Sequence, residues 1–144
     1  MKKVINQFLK FSIVGGISFL VDFTVFTIMC NVFRIHYMIA GVLGFLISVI
    51  INYILSMRFV FVPKEDIRKD KSFVVFVILS LIGMLINSIL LFIFIDILYG
   101  NIVCLRQVLS EESMNIFAKI FATVIVMLYN FITRKIFLEK KENI

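Results

Sequence analysis

The side chains best able to do chemistry in this chain are ionisable groups inside long apolar stretches. Asp22 lies eleven residues after Phe11, and Lys119 lies fifteen residues before Arg134. At about 1.5 Å per helical residue, both lie deep in any apolar layer that these stretches cross. A charge there costs on the order of 3 kcal/mol unless it meets a partner or water, and such residues often mark an ion or substrate path. We therefore predict that the Asp22 carboxylate and the Lys119 ammonium lie close together.

Amide and guanidinium groups extend this set toward anion binding. Lys119 and Asn130 are eleven residues apart, about 20° around a helix, so an ammonium and an amide share one face that runs toward Arg134. A guanidinium binds phosphate with two parallel hydrogen bonds. We predict that Arg58 and Arg134, near the ends of apolar stretches, gather a phosphate at the membrane interface. The candidate substrate-binding residues are Asp22, Asn52, Arg58, Asn87, Lys119, Asn130 and Arg134.

The composition excludes a water-soluble fold. Apolar residues make up 62% of the 144 residues and charged residues 17%, whereas a soluble domain has roughly 45–50% and about a quarter. The net charge of +6 is concentrated in clusters beside the apolar stretches, which is typical of a membrane protein rather than a nucleic-acid-binding protein. The excess apolar surface must face lipid, and we expect no nucleic-acid partner.

Four apolar stretches must position the candidate residues. A helix needs about 20 residues to cross a hydrocarbon core, and these stretches lack the alternation of a barrel strand. We predict an all-α integral membrane protein with a single domain over residues 1–144. The predicted spans are residues 11–33, 37–57, 73–98 and 114–133.

The lysines and arginines predict the orientation. Twelve of them lie before the first span, between the second and third spans, or in the segment that starts at Arg134. Only Arg34 and Arg106 lie in the other two connections. Because positive loops stay inside, both termini and the middle loop are predicted to be cytoplasmic. Pro63 should end the second helix before that loop, and Ser110 with the acidic residues that follow it should begin the fourth span.

The first and second spans resemble the third and fourth. An offset of 65 positions places Ser18 on Gly83 and Asp22 on Asn87, and an offset of 78 places Gly44 on Ala122 and Asn52 on Asn130. The small and polar residues recur at three- and four-residue spacings, so each span has one small, polar face. This predicts two helical hairpins related as a parallel repeat. Such faces suit close helix packing, or a polar track for a lipid headgroup.

Other chemistry has little support in the sequence. There is no Gly-rich phosphate-binding loop, and neither the single histidine nor the cysteine spacing indicates a metal site or a catalytic site. We expect a protein that is not an enzyme and needs no cofactor. Cys30 and Cys104 are both predicted on the outer side, where a disulfide between them remains open.

The chain resembles the GtrA-like family of small bacterial membrane proteins over nearly its whole length. The resemblance is carried by the segments FLKFSIVGGISFLVDF, NYILSMRFVF and IFAKIFATVIVMLYNFITRKIF. It implies a four-span protein of the bacterial cytoplasmic membrane that translocates polyprenyl-phosphate-linked sugars, such as undecaprenyl phosphate glucose, for polysaccharide or teichoic acid glycosylation. The positions that it picks out are Gly15, Asp22, Asn52, Arg58, Phe61, Lys119, Asn130, Arg134 and Phe137.

These observations favour a lipid-linked sugar flippase. In this hypothesis Arg58 and Arg134 capture the phosphate, Lys119 receives it deeper in the membrane, and Asp22 neutralises Lys119 between passages. Because four helices enclose little, we expect a homo-oligomer. Two alternatives stay open: a non-transporting membrane partner of a glycosyltransferase, and a proton-coupled small multidrug transporter, against which the fixed cation at Lys119 argues.

Overall fold

The computed structural model describes residues 1–141, without the side chains of residues 37 and 38, and this part of the chain is almost entirely helical. The second and third helices each continue into a wider π-helical segment, Ser56–Val60 and Ile93–Tyr99 respectively. Such segments put one extra residue into a turn and are frequent at functional sites. The α-helices are α1 (Lys2–Asn31), α2 (Tyr37–Leu55), α3 (Lys69–Phe92), α4 (Val103–Val108) and α5 (Glu111–Leu138).

Within residues 1–141, four helices are long and apolar enough to cross a membrane. They are Lys2–Asn31, Ile39–Val60, Lys69–Tyr99 and Glu111–Leu138. The predicted four-span, all-α architecture is confirmed, and the chain is a multi-pass membrane protein. Three of these helices begin before the predicted span, because helical hydrogen bonding continues through the polar residues that precede the apolar stretch.

The helix ends follow the local chemistry of the sequence. The Ser110 hydroxyl accepts a hydrogen bond from the Ser113 amide (3.2 Å), which satisfies one of the unpaired amides at the start of α5 as predicted. The helix that contains Arg58 ends at Val60, before Pro63, which cannot donate a backbone hydrogen bond. Between α1 and α2, Arg34 adopts a left-handed conformation (φ 51°) that allows a tight turn.

The described chain divides into two compact units. Unit 1 comprises Met1–Val77 with the end of the chain from Lys135, and unit 2 comprises Ile78–Arg134. The boundaries fall inside α3 and α5, so each of these two helices contributes to both units. The single domain and the parallel repeat remain predictions.

Unit 1 is held together by aromatic and aliphatic packing. Phe76 and Leu138 are fully buried and pack with the buried Val49, and the ring of Tyr53 meets that of Phe76 edge-on at 5.3 Å. The Phe11 ring on α1 lies 5.9 Å from that of Phe61. These contacts fix the start of α1 and the end of the π-helical segment that carries Arg58.

Unit 2 uses small residues and one aromatic pair. Ala118 and Ala122 on α5 are fully buried, so neighbouring backbones approach closely there. The Phe94 and Phe121 rings meet edge-on at 5.0 Å and join the π-helical segment after α3 to α5. Large apolar side chains such as Leu85 are mostly exposed, which suits a surface that lies in lipid.

Candidate functional site: polar residues inside the membrane helices

Asp22 of unit 1 lies against a glycine of the neighbouring helix. Its carboxylate and its backbone carbonyl both approach Gly44 on α2, and a Cβ on Gly44 would overlap a carboxylate oxygen. Asp22 is half-buried and Gly44 is buried. Within the described part of unit 1, the carboxylate has no hydrogen-bond or ion-pair partner. Because Gly44 has no side chain, the Asp22 carboxylate fits between the two helices of the hairpin.

The small residues beside Asp22 keep their hydroxyl hydrogens within their own helices. The buried Ser18 hydroxyl donates to the Val14 carbonyl (2.8 Å), and the buried Ser48 hydroxyl donates to the Phe45 carbonyl (2.9 Å). Two turns beyond Ser48, at the start of the π-helical segment, the Ser56 hydroxyl donates to the Asn52 side-chain oxygen (3.0 Å). The hydroxyls that share the small face with Asp22 are thus already used.

Unit 2 contains a corresponding amide and glycine. The Asn130 side-chain oxygen would lie 2.9 Å from a Cβ on Gly83. That oxygen is buried and has no hydrogen-bond partner among the described residues. Under the two sequence offsets, Asn130 and Gly83 correspond to Asn52 and Ser18 of the other hairpin. A buried acceptor without a donor is costly, so this amide is a candidate contact for a ligand hydroxyl.

Arg134 lies next to Asn130 on α5 and is buried. Only 3% of the residue is exposed, and its guanidinium donates to the Ser80 hydroxyl on α3 (2.7 Å). The side chain of Arg134 therefore turns into its own unit, and its predicted contact with a phosphate stays a prediction. We call Ser80, Gly83, Asn130 and Arg134 the polar cluster of unit 2.

Arg58 differs from Arg134 in its exposure. It is exposed, and its guanidinium carbon lies 5.6 Å from the centroid of the Phe59 ring. The 78-position offset places Arg134 on the fully buried Ser56 rather than on Arg58. Of these two arginines, Arg58 is therefore the one open to a phosphate arriving from water.

Lys119 and Asn87 complete the predicted set. Lys119 is exposed on α5, eight residues or about 12 Å after Glu111, and the Thr123 hydroxyl donates to its backbone carbonyl (2.7 Å). Asn87 on α3 is half-buried. Asp22 and Lys119 belong to different units, and their ion pair stays a prediction.

A polar network that the sequence did not reveal stabilises the segment around Arg58. The Lys135 ammonium donates to the side chains of Gln7 and Glu139, both at 2.5 Å. The Gln7 amide in turn donates to the Val60 carbonyl (3.0 Å). These residues are more than 50 positions apart, except for Lys135 and Glu139, so no local pattern could have indicated them. The network holds the end of the segment Ser56–Val60 in place.

The backbone beyond that segment is paired as well. Pro63 and Glu139 form an isolated antiparallel bridge, and the Lys140 amide donates to the Val62 carbonyl (2.8 Å). The Lys140 ammonium also forms an exposed ion pair with Glu65 (2.8 Å). The hydrogen bond from Lys140 lowers the pKa of Glu65, and the same bond raises the pKa of Lys140. These bonds hold the loop that follows Val60 against the end of α5.

Metal and disulfide chemistry find no support in residues 1–141. No group of three histidine, cysteine, aspartate or glutamate side chains in this part of the chain could hold a metal ion. Cys30 and Cys104 are free thiols. The polar groups of the described residues are hydrogen-bond donors, hydrogen-bond acceptors and fixed charges.

Comparison with known proteins gives one match. The model of the family described as GtrA/DPMS, transmembrane domain, matches residues 10–138. This range contains all seven candidate binding residues. No curated protein and no solved structure matches the chain.

Proposed function

We propose, from the premise that this chain belongs to the GtrA/DPMS transmembrane domain family, that it moves a polyprenyl-phosphate-linked sugar between the leaflets of the bacterial cytoplasmic membrane. The proposed cargo is of the undecaprenyl phosphate glucose type, used for cell-surface polysaccharide or teichoic acid glycosylation. The observation that carries the proposal is the buried guanidinium of Arg134, next to a buried amide oxygen that has no partner among the described residues.

In this proposal Arg58 makes the first contact with the phosphate. It is exposed at the end of the second span, and four further basic residues lie in the loop that follows and in the first turn of α3. A guanidinium matches two phosphate oxygens at once and is weakly hydrated, so it binds phosphate where a membrane meets water. The network of Gln7, Lys135 and Glu139 fixes the segment Ser56–Val60 before the phosphate arrives, which lowers the conformational entropy lost when Arg58 binds it.

The polar cluster of unit 2 then receives the headgroup. In the structure Arg134 donates to Ser80, a neutral hydroxyl, and a guanidinium has five N–H donors. A phosphate would offer charged acceptors, which form stronger hydrogen bonds than a hydroxyl does. The Asn130 oxygen would accept a hydrogen bond from a sugar hydroxyl. Phosphate and sugar would therefore each have a partner one helical turn apart.

The polar face of α5 gives a direction of travel. Arg134 is buried, Asn130 is half-buried, and Thr123 and Lys119 are exposed. These four residues lie within about 60° of one another around the helix. Lys119 is about 22 Å from Arg134 along the axis, and its flexible stem lets the ammonium reach toward the opposite interface. We propose that Lys119 is the last cation that the phosphate meets.

The apolar surface accommodates the tail of the same lipid. Phe117, Ile120 and Val124, which flank Lys119 and Thr123 on α5, are exposed. A polyprenyl chain would stay in the hydrocarbon layer beside them while only the headgroup follows the polar residues. Net direction would then come from supply in one leaflet and consumption in the other, and a homo-oligomer would enclose the headgroup more fully.

Leaflet exchange in liposomes tests this proposal. The full-length chain is reconstituted alone with a fluorescent polyprenyl-phosphate sugar, and a membrane-impermeant quencher reports the fraction in the outer leaflet. We expect exchange that falls at least tenfold in Arg58→Ala, while Arg106→Ala on the exposed helix α4 exchanges at the wild-type rate. Arg134→Lys, which keeps the charge without the planar fork, should also be slow.

Two outcomes would contradict the proposal. Equal exchange by wild type and Arg58→Ala would remove the role of the exposed arginine. No exchange by a correctly folded wild type would favour the alternative function, a non-transporting partner that binds a membrane glycosyltransferase. That alternative predicts co-purification with the transferase, and the proposed flippase does not require it.

A further inference from the structure

Asp22 is the one charged residue in the two apolar stretches of its hairpin. Residues 11–33 contain no other charge, and residues 37–57 contain none. Along α1, Asp22 is about 18 Å from Lys10 and about 14 Å from the end at Asn31. An ionised carboxylate would therefore lie deep in the hydrocarbon layer, where a charge without a partner is strongly disfavoured.

The groups that face Asp22 within unit 1 are neutral. Gly44 touches the carboxylate from α2, and the buried Ser48 and Ala40 lie one turn away on the same face. The Ser18 and Ser48 hydroxyls donate to backbone carbonyls.

The other titratable groups of these stretches do not replace a counter-ion. They are Cys30, Tyr37 and Tyr53. The Tyr53 hydroxyl donates to the Lys69 carbonyl (3.2 Å), near the end of the second span. None of these groups is a cation, so residues 11–33 and 37–57 supply no positive charge to balance Asp22. A bound proton is the simplest way for the carboxylate to become neutral.

From this arrangement we infer that Asp22 is a proton-binding site and that the lipid-linked headgroup crosses only when Asp22 is protonated. The inference rests on the proposed function. In the proton step, a water-borne proton binds a carboxylate oxygen, an O–H bond forms, and the hairpin loses one negative charge. The resulting neutral acid no longer repels an anionic headgroup in the low-dielectric layer. After passage the proton leaves to water and restores the carboxylate.

The chain provides its own matched comparison. The repeat offset places Asn87 of α3 at the position of Asp22, and Asn87 is half-buried as Asp22 is. An asparagine side chain has nearly the shape of an aspartic acid but does not titrate. Asp22→Asn thus gives the first hairpin the same neutral group that the second already has, with little change in volume.

The test measures leaflet exchange of a labelled polyprenyl-phosphate sugar, a phosphodiester, by the full chain in liposomes with the same pH on both sides. If only the protonated form is competent, the wild-type rate falls about tenfold for each pH unit above the midpoint. Asp22→Asn should exchange with no such decline, and Asp22→Glu should restore the decline. A pH gradient should bias the wild-type lipid distribution between leaflets but not that of Asp22→Asn.

Results that overturn the inference are distinct from those that overturn the function. Wild-type exchange that is independent of pH, or a decline that persists in Asp22→Asn, would reject proton binding while leaving the flippase intact. If Lys119→Met alone abolished the decline, the ammonium rather than the carboxylate would be responsible, and the inference would also fail.

A spectroscopic readout keeps the proton site testable if no variant exchanges lipid. Infrared difference spectra of the protein in lipid nanodiscs, recorded during a pH titration, should show a protonated-carboxyl band that disappears in Asp22→Asn and remains in Asn87→Ala. A wild-type spectrum without a titrating band that depends on Asp22 would refute the proton site on its own.

Discussion

Replacement of Gly44 by alanine should separate α1 from α2, whereas the same change at Gly41 on the same helix should not. A Cβ on Gly44 would overlap an Asp22 carboxylate oxygen and lie 3.0 Å from the Asp22 backbone carbonyl. The carboxylate can rotate away, but the carbonyl belongs to the α1 backbone and cannot. Gly41 has open space at the corresponding point, with no heavy atom within 4 Å.

The expected magnitudes follow from this difference. Overpacking costs about 1–3 kcal/mol, and replacing glycine by alanine inside a helix returns roughly 0.5–1 kcal/mol. Gly44→Ala should therefore lower the free energy of unfolding by up to about 2.5 kcal/mol, and Gly41→Ala should leave it unchanged or raise it by up to about 1 kcal/mol. Adding Asp22→Ala to Gly44→Ala should recover part of the loss, because it removes the carboxylate but not the carbonyl.

Unfolding in mixed detergent micelles, followed by circular dichroism, measures all three variants under one condition. The Gly41 variant controls for the general effect of alanine on helix stability. Equal stability of the Gly41 and Gly44 variants would refute the close approach of Asp22 to α2, and with it the geometry on which the proton site depends.

Three further predictions concern other parts of the chain. Ser80→Ala should leave the buried Arg134 guanidinium without its hydroxyl acceptor and destabilise the protein by about 1–3 kcal/mol in the same unfolding assay; a neutral result would mean that the bond contributes nothing. Lys140 lowers the pKa of Glu65, so the small contribution of this ion pair to stability is present above the pKa of Glu65 in the unfolded chain. That contribution is lost as the pH falls through the pKa of Glu65 in the folded protein. Lys140→Ala should raise the Glu65 pKa in an NMR titration, and an unchanged value would contradict the ion pair. Ser110→Ala should remove the cap of α5 and cost about 1 kcal/mol, with faster amide exchange in its first turn; unchanged exchange at Ser113 would argue against the cap.

The number, type and approximate position of the membrane helices could be predicted from the sequence. Lipid cannot satisfy backbone polar groups, so an apolar stretch of about 20 residues has only one stable conformation there. The local ends were equally predictable, because Pro63 lacks an amide hydrogen and Ser110 supplies a capping oxygen. Hydropathy marked only the apolar part of each helix, and for this reason α1 begins at Lys2 rather than at residue 11.

The polar faces were also visible in the sequence, but their contacts were not. Three- and four-residue spacing places Asp22 or Asn130 on one face of its own helix. It does not say which residue of another helix lies opposite, because that depends on the rotation and the axial shift of the packed pair. The contacts of Asp22 with Gly44, and of Asn130 with Gly83, became known only from the tertiary structure.

The same limit explains the arginines, for which the sequence predicted one common role. Both lie near the end of a span, yet Arg58 is exposed and Arg134 is buried against Ser80. Residue type and position along the chain determined that two cations lie near those ends. The direction in which each side chain points was decided by packing. The folded chain places the Ser80 hydroxyl of α3 within reach of the Arg134 guanidinium and leaves the Arg58 guanidinium exposed.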